Sequence, residues 1–235
     1  NFERLLGDGS RYGVRLSYKV QPSPDGLAQA FVLGREFIGG DACAMVLGDN
    51  IFYGGGMSKM LRDAKKNAEG GRATVFGYYV PDPERFGVVE FNARGRVISI
   101  EEKPENPKSN YAVTGLYFYP AGVSAHAERV MPSPRGELEI TTLNEMYLCE
   151  GLLDVQILGR GYAWLDTGTM DSLAEATDFV RMVQNRQGVE ISAPEEIAYV
   201  NGWTSKNELL AAAEKYGKSP YGKHLKNVAD GKLQY

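Results

Sequence analysis

The sequence predicts an α/β fold: a mixed, mostly parallel sheet flanked by helices, with an antiparallel insertion and a helical C-terminal tail. Three observations carry this. In the first eighty residues, apolar strand-like runs alternate with amphipathic helices, the pattern of β-α-β crossovers. Between Gly87 and Glu101 two short strands are joined through Ala93-Arg94-Gly95, with glycine where a hairpin wants a positive φ. Beyond Pro194 the pattern is helical.

Taken in order, Phe2-Glu3-Arg4-Leu5-Leu6 reads as a helix already under way, and Asn1 stands where an initiator methionine would be. An N-terminal portion is therefore expected to be absent. Val14 to Val20 alternates as a strand, and Leu27 to Phe37 follows as a helix, with Leu27, Ala30, Phe31, Leu33, Gly34 and Phe37 at helical spacing. The run Ala42 to Leu47 completes a β-α-β unit, and Met57 to Ala68 with Ala73 to Val80 completes a second crossover. Gly87 to Asn92 and Arg96 to Glu101 form the hairpin, and Tyr111 to Tyr119 is a strand rich in β-branched and aromatic residues. Val123 to Val130 and Thr142 to Cys149 read as helices, Leu153 to Leu158 as a strand, and Met170 to Arg186 as a long helix. In the tail, Ser205 caps Lys206 to Tyr216 and Pro220 opens a last helix. These elements predict one catalytic domain over 1–188 and a helical segment over 189–235.

Composition narrows the function. With 235 residues, 43% hydrophobic and 24% charged, the chain is long enough for one large domain or a domain with an appendage. Lys and Arg number 26 against 30 Asp and Glu, with no basic cluster, which argues against nucleic acid as a partner. No apolar run approaches the ~18 residues of a membrane span, so a cytoplasmic location without membrane association is expected. Cys43 and Cys149 have neither metal-ligand nor disulfide spacing and are expected to be buried thiols. His126 and His224 fall in no Ser-His-Asp or Cys-His arrangement, which leaves nucleophilic catalysis without support.

Two carboxylates stand out. Asp49 sits where the run Ala42 to Leu47 breaks into Gly48-Asp49-Asn50, and Asp166 lies in Tyr162-Ala163-Trp164-Leu165-Asp166-Thr167-Gly168. A carboxylate at the end of a buried parallel strand faces the crevice where open α/β sheets take ligands, and two such groups suit one hard cation. Each also fits a turn or helix cap, and the sequence leaves both readings open. Gln21 to Gly26 lies between a strand and a helix: it is common turn punctuation, or a loop in which Gln21 offers an amide to a base edge. Lys103, after Glu101-Glu102, is a point charge suited to phosphate or a solvated strand end. Arg135 in Arg135-Gly136-Glu137-Leu138-Glu139 is an anion ligand or part of a polar loop.

Together, Val20 to Ala30, Leu47 to Gly54, Glu101-Glu102-Lys103-Pro104, Ser109 to Gly115 and Tyr162 to Gly168 resemble the glucose-1-phosphate thymidylyltransferases, a family of sugar nucleotidyltransferases. The resemblance runs from Phe2 to the tail. It implies a Rossmann-like sheet and Mg²⁺-dependent conversion of dTTP and α-D-glucose 1-phosphate to dTDP-glucose and pyrophosphate, the opening step of dTDP-L-rhamnose biosynthesis. By position it makes Gln21 and Gly26 nucleotide-binding residues, and Asp49 and Asp166 metal ligands. Asn50, Gly87, Glu102, Val113 and Trp164 become sugar-binding residues, and Lys103 and Arg135 grip the sugar phosphate. Tyr53, Gly54, Arg160, Ser192, Glu196 and Ile197 match a regulatory site, implying feedback by dTDP-rhamnose in a homo-oligomer, a tetramer in the family.

Two departures matter. Phe86 stands where the family usually has tyrosine, removing a hydroxyl near the sugar. The family's N-terminal glycine-rich triphosphate loop has no counterpart here, so this chain alone is expected to be inactive. The alternatives are a transferase using UTP or another sugar 1-phosphate, and a non-catalytic nucleotide-binding remnant. A metal-dependent glycosyltransferase would place an Asp-x-Asp pair where Gly48-Asp49-Asn50-Ile51 offers one carboxylate.

Overall fold

The computed structural model describes residues 2–233. The chain divides into two compact units, Lys19–Leu173 and the pair of segments Asn1–Tyr18 and Ala174–Tyr235.

The 19–173 unit opens with α2 (Gln29–Leu33) and α3 (Arg35–Ile38), which follow α1 (Phe2–Leu6) of the other unit. Next come β1 (Cys43–Val46), β2 (Asn50–Gly54), α4 (Met57–Glu69), β3 (Ala73–Tyr79), β4 (Gly87–Phe91), β5 (Val97–Glu102) and β6 (Tyr111–Tyr119). The helices α5 (Val123–Ala127) and α6 (Ile140–Cys149) then lead to β7 (Leu153–Leu158) and β8 (Tyr162–Asp166). Five strands of the main sheet run β5-β4-β6-β3-β7, and β1 joins β6 beside them; β2 and β8 form a separate ribbon.

Alternation along β6 sorts the core into two layers. Val113, Tyr117 and Tyr119 pack with Phe31, Val123, Leu143 and Tyr147 on one face. Leu116 joins Phe76, Leu158 and Ala64 of α4 on the other, with Met57, Met60 and Leu61 packed alongside.

The sheet is mostly antiparallel, which corrects the mostly parallel sheet that the alternating strands and helices predict. Among the described residues only β3 and β7 pair in parallel; β6 is antiparallel to β1, β3 and β4, and β4 to β5. The physical reason is an intervening strand. Because β1 and β3 are both antiparallel to β6, they run in the same direction, as a crossover through α4 requires, but β6 lies between them.

Two further expectations are corrected. Val14 to Val20 has strand-like alternation but forms no strand, because a strand needs a ladder partner and none is found among the described residues. The helix expected over 27–37 is broken at Gly34, whose backbone N–H ends α2 while α3 starts at Arg35.

In the other unit, α7 (Met170–Gln187) is continued from Ala174, followed by α8 (Pro194–Val200), α9 (Lys206–Tyr216) and α10 (Pro220–Ala229). Ser205 caps α9 through a reciprocal box with Glu208. Leu209, Ala213, Leu225 and Val228 form the helical core. No described helix is long and apolar enough to cross a membrane.

Candidate functional site

Two adjoining clefts, of about 200 and 330 Å³, open within the 19–173 unit. Both are lined by Leu27, Glu102, Lys103 and Ile140. Their combined size falls among ordinary small-ligand sites, roughly 300–1,000 Å³. The first cleft takes Asp49, Asn50, Gly87, Val113, Trp164 and Asp166 from the sequence-predicted set, and the second takes Gln21, Gly26 and Arg135. With Glu102 and Lys103, the expected substrate and metal residues therefore converge on one surface.

The two aspartates meet through the ribbon, not through the crevice of a parallel sheet. Asn50 at the start of β2 faces Asp166 at the end of β8, and Thr167 donates from both its backbone N–H (2.9 Å) and its hydroxyl (2.8 Å) to the Asp49 carbonyl. One Asp49 carboxylate oxygen accepts from the Asn50 amide at 2.9 Å; one of Asp166 accepts from the Gly168 N–H at 3.2 Å. The Trp164 ring packs edge-on to Phe86 at 5.2 Å and to Tyr78 at 5.9 Å.

Glu102 ends β5 opposite Gly87, and its carboxylate accepts from the Thr141 hydroxyl at 2.5 Å. Lys103 extends that ladder by donating its backbone N–H to Phe86 at 2.9 Å, and it does so with φ +43°. This backbone is unfavourable for a residue with a Cβ, and such strain gathers at functional positions. Arg135 is held by Glu137 at 2.7 Å and by Glu139 at 3.2 Å, with Ser133 also donating to Glu139.

Gln21 is oriented by a chain of donors. The Ser23 hydroxyl and then the Gln29 amide bond to the Asp25 carboxylate and hold it below the usual carboxylate range. A carboxylate only accepts, so Gln29 must turn its nitrogen to Asp25 and its oxygen to Gln21. Gln21 accordingly donates to Gln29 at 2.6 Å and to the Gly26 carbonyl at 3.3 Å. Gly26 itself lies at φ +104°, where a Cβ would stand 2.4 Å from the Leu138 carbonyl oxygen. Its glycine is required by the protein's own backbone.

Across both clefts, the carboxylates of Asp49, Glu102, Glu137, Glu139 and Asp166 face three cations, Arg85, Lys103 and Arg135. Burial, and then the carboxylates of Glu102 and Asp49, push the Tyr117 phenol well up. A wall this acidic would repel a polyanion. A hard divalent cation fits the donor set: two aspartates from paired strand ends, with further oxygens left to substrate and water, which is how Mg²⁺ is commonly held. Among the described residues no group of three or more His, Cys, Asp or Glu could hold a metal.

The nucleotidyl transferase family profile matches residues 1–182. The chain belongs to this family. Members are typically metal-dependent. This nucleotidyl transferase chain is 58% identical over 225 residues to a glucose-1-phosphate thymidylyltransferase of Neisseria meningitidis, covering 96% of this chain and 77% of the relative. It is 56% identical over 228 residues to the enzyme of the same description in Xanthomonas campestris pv. campestris, covering 97% and 77%. Among solved structures it is similar to one assigned as a glucose-1-phosphate thymidylyltransferase from Bacillus anthracis, with TM-score 0.68 and 41% identity over 76% of this chain and 70% of that one.

Several residues of this nucleotidyl transferase were not singled out by the sequence. Thr141 lines the first cleft and holds Glu102, a contact spanning 39 positions that no local pattern signals. Arg85 also lines it, its guanidinium raised by a hydrogen bond to Asp82, and a Pro-Glu-Arg-Phe segment gives no sign of that placement. His224 is buried in α10 and bonds Glu196 at 2.6 Å, a contact spanning 28 positions. Cys149 is exposed, against the expectation of a buried thiol; only Cys43 is partly covered, and burial raises it to about 11.

The six residues of the implied regulatory site fall three to a unit. Tyr53 and Gly54 lie in β2 and Arg160 follows β7; Ser192 precedes α8 with φ +57°, and Glu196 and Ile197 lie in it.

Proposed function

We propose that this chain carries the sugar-phosphate and metal-binding side of an enzyme that transfers a thymidylyl group from dTTP to α-D-glucose 1-phosphate, giving dTDP-glucose and pyrophosphate, the opening step toward dTDP-L-rhamnose. The observation that carries the reading is the junction of the two clefts at Glu102 and Lys103. The relatives' activity agrees with that geometry.

The nucleotide takes the second cleft. With both amide protons of Gln21 engaged in its own loop, the remaining acceptor suits the imide N–H of a pyrimidine. Thymine and uracil share that group, which keeps UTP as the second reading. The sugar takes the first cleft, with Glu102 accepting from its hydroxyls, the backbones of Gly87 and Val113 beside it, and Trp164 as a wall.

The phosphate of glucose 1-phosphate attacks the α-phosphorus of dTTP, one P–O bond forms, and the P–O bond to pyrophosphate breaks in line. The nucleophile is already an anion, so no protein base is needed. The chain's task is to bring two polyanions together and stabilise the growing charge. Lys103 does so as a point charge at the junction, and Arg135 does so after exchanging Glu137 and Glu139 for phosphate oxygens. Asp49 and Asp166 would hold Mg²⁺, which supplies charge neutralisation when bound.

Pyrophosphate release by an N-terminally extended chain from dTTP and glucose 1-phosphate, with UTP in competition, tests the reading. Release with neither nucleotide overturns it. The chain alone is proposed to be inactive, since no residue lining the clefts supplies a glycine-rich cradle for the triphosphate; equal release from this chain and an N-terminally extended one overturns that. Residues 189–235 are proposed as an interface and regulatory segment of a homotetramer. Tyr53, Gly54, Arg160, Ser192, Glu196 and Ile197 are proposed to take dTDP-rhamnose as feedback ligand.

A further inference from the structure

We infer that Asn50 is a positioning residue that ties the Asp49 carboxylate to the Trp164 indole. Its side-chain oxygen accepts two hydrogen bonds, from the Trp164 indole N–H at 2.7 Å and the Gly115 backbone N–H at 2.9 Å. An amide oxygen has two lone pairs, so its capacity is used. The orientation of the amide follows, because its nitrogen has nothing with which to accept from those two donors. The nitrogen therefore faces Asp49 and donates to one carboxylate oxygen at 2.9 Å.

The surroundings are shaped to this bridge. A Cβ at Gly115 would stand 2.6 Å from the Asn50 oxygen, so only glycine lets the amide reach the β6 backbone. Asn50 is paired in register with Asp166, which places it between the two carboxylates proposed to hold the cation. Trp164, bonded to the same amide, packs against Phe86 and Tyr78. One side chain thus fixes a cation ligand and the sugar-facing wall relative to each other. Groups that orient a metal ligand commonly matter tenfold to a hundredfold for metal affinity.

The cation half rests on the transferase reading, and the test separates the two. The 235-residue chain carrying Trp203→Phe leaves Trp164 as its single tryptophan, and its emission is recorded without metal or nucleotide. Asn50→Leu is expected to shift that emission to shorter wavelength as the indole loses its acceptor. Asn50→Asp keeps an acceptor for both donors and is expected to retain the parent emission. Mn²⁺ as the probe, followed by electron paramagnetic resonance, is expected to need about 10- to 100-fold more metal to half-saturate Asn50→Leu than the parent. Should Asn50→Leu not fold, Asn50→Ala loses the same bonds without added bulk and carries the same expectations. The inference is overturned by unmoved emission in the Leu or Ala variant, by an equal shift in Asn50→Asp, or by Mn²⁺ binding that is absent from the parent or unchanged in the variant. Failure of the transferase reading alone would instead show as no pyrophosphate release from the N-terminally extended chain with these signals intact.

Discussion

Replacing Lys103 with glycine and with alanine separates its backbone from its charge. At φ +43° a residue with a Cβ bears a cost of about 1–2 kcal/mol, which alanine retains and glycine does not. Glycine's greater freedom in the unfolded chain returns about 0.4–1 kcal/mol of that difference. Lys103→Gly should therefore be more stable than Lys103→Ala by roughly 0.5–1 kcal/mol, or about 2 °C in Tm for a chain of this size. Both variants lose the same ammonium group at the cleft junction. A hydrogen bond to a charged group contributes about 1.5–3 kcal/mol, so both should bind glucose 1-phosphate roughly 10- to 150-fold more weakly. Denaturant midpoints and calorimetric Kd values on the same preparations read the two effects. Equal midpoints for Gly and Ala would refute the strain argument, and a Kd within threefold of the parent would refute the phosphate contact.

Asp49→Asn and Asp166→Asn should each remove Mg²⁺-dependent turnover in an N-terminally extended chain, by about two orders of magnitude or more, with unchanged circular dichroism; near-normal pyrophosphate release would remove the metal role. Phe86→Tyr adds a hydroxyl beside Trp164 and should change the preference between glucose 1-phosphate and its epimers by about tenfold, read as a ratio of kcat/KM values. Ser205→Ala breaks the α9 capping box and should cost about 1 kcal/mol in a denaturation curve. With Cys43 raised to about 11 and an unfolded thiol near 8.5, its stabilising contribution is present below pH about 8.5 and is lost as pH rises toward 11. Alkylation with mass-spectrometric readout at pH 8 should accordingly label exposed Cys149 and spare Cys43.

The parts of the fold legible in the sequence are those with local causes. Tyr111 to Tyr119 and Lys206 to Tyr216 appear at their expected bounds, because one is a continuous β-branched and aromatic run and the other follows a serine cap. Strand order has no local cause. The insertion of β6 between β1 and β3 depends on pairings between residues 32 to 76 positions apart, and hydrophobic periodicity is silent about them. The same division runs through the site. Asp49, Lys103 and Gln21 can be nominated by residue type and setting, whereas Thr141 on Glu102 exists only once the hairpin and α6 are in place.

Asn50 shows why residue type alone does not assign a role. An asparagine beside a strand-end aspartate suits a sugar hydroxyl as well as it suits a neighbouring carboxylate. What distinguishes the two is which of its atoms are already engaged. Gly115 and Trp164 lie 65 and 114 positions away, and they take both lone pairs of its oxygen. A sugar approaching this amide would find one remaining N–H and no acceptor, too little to discriminate among hydroxyls. Selectivity then falls to Glu102, whose second carboxylate oxygen is not engaged by Thr141, and to the wall that Asn50 holds in place.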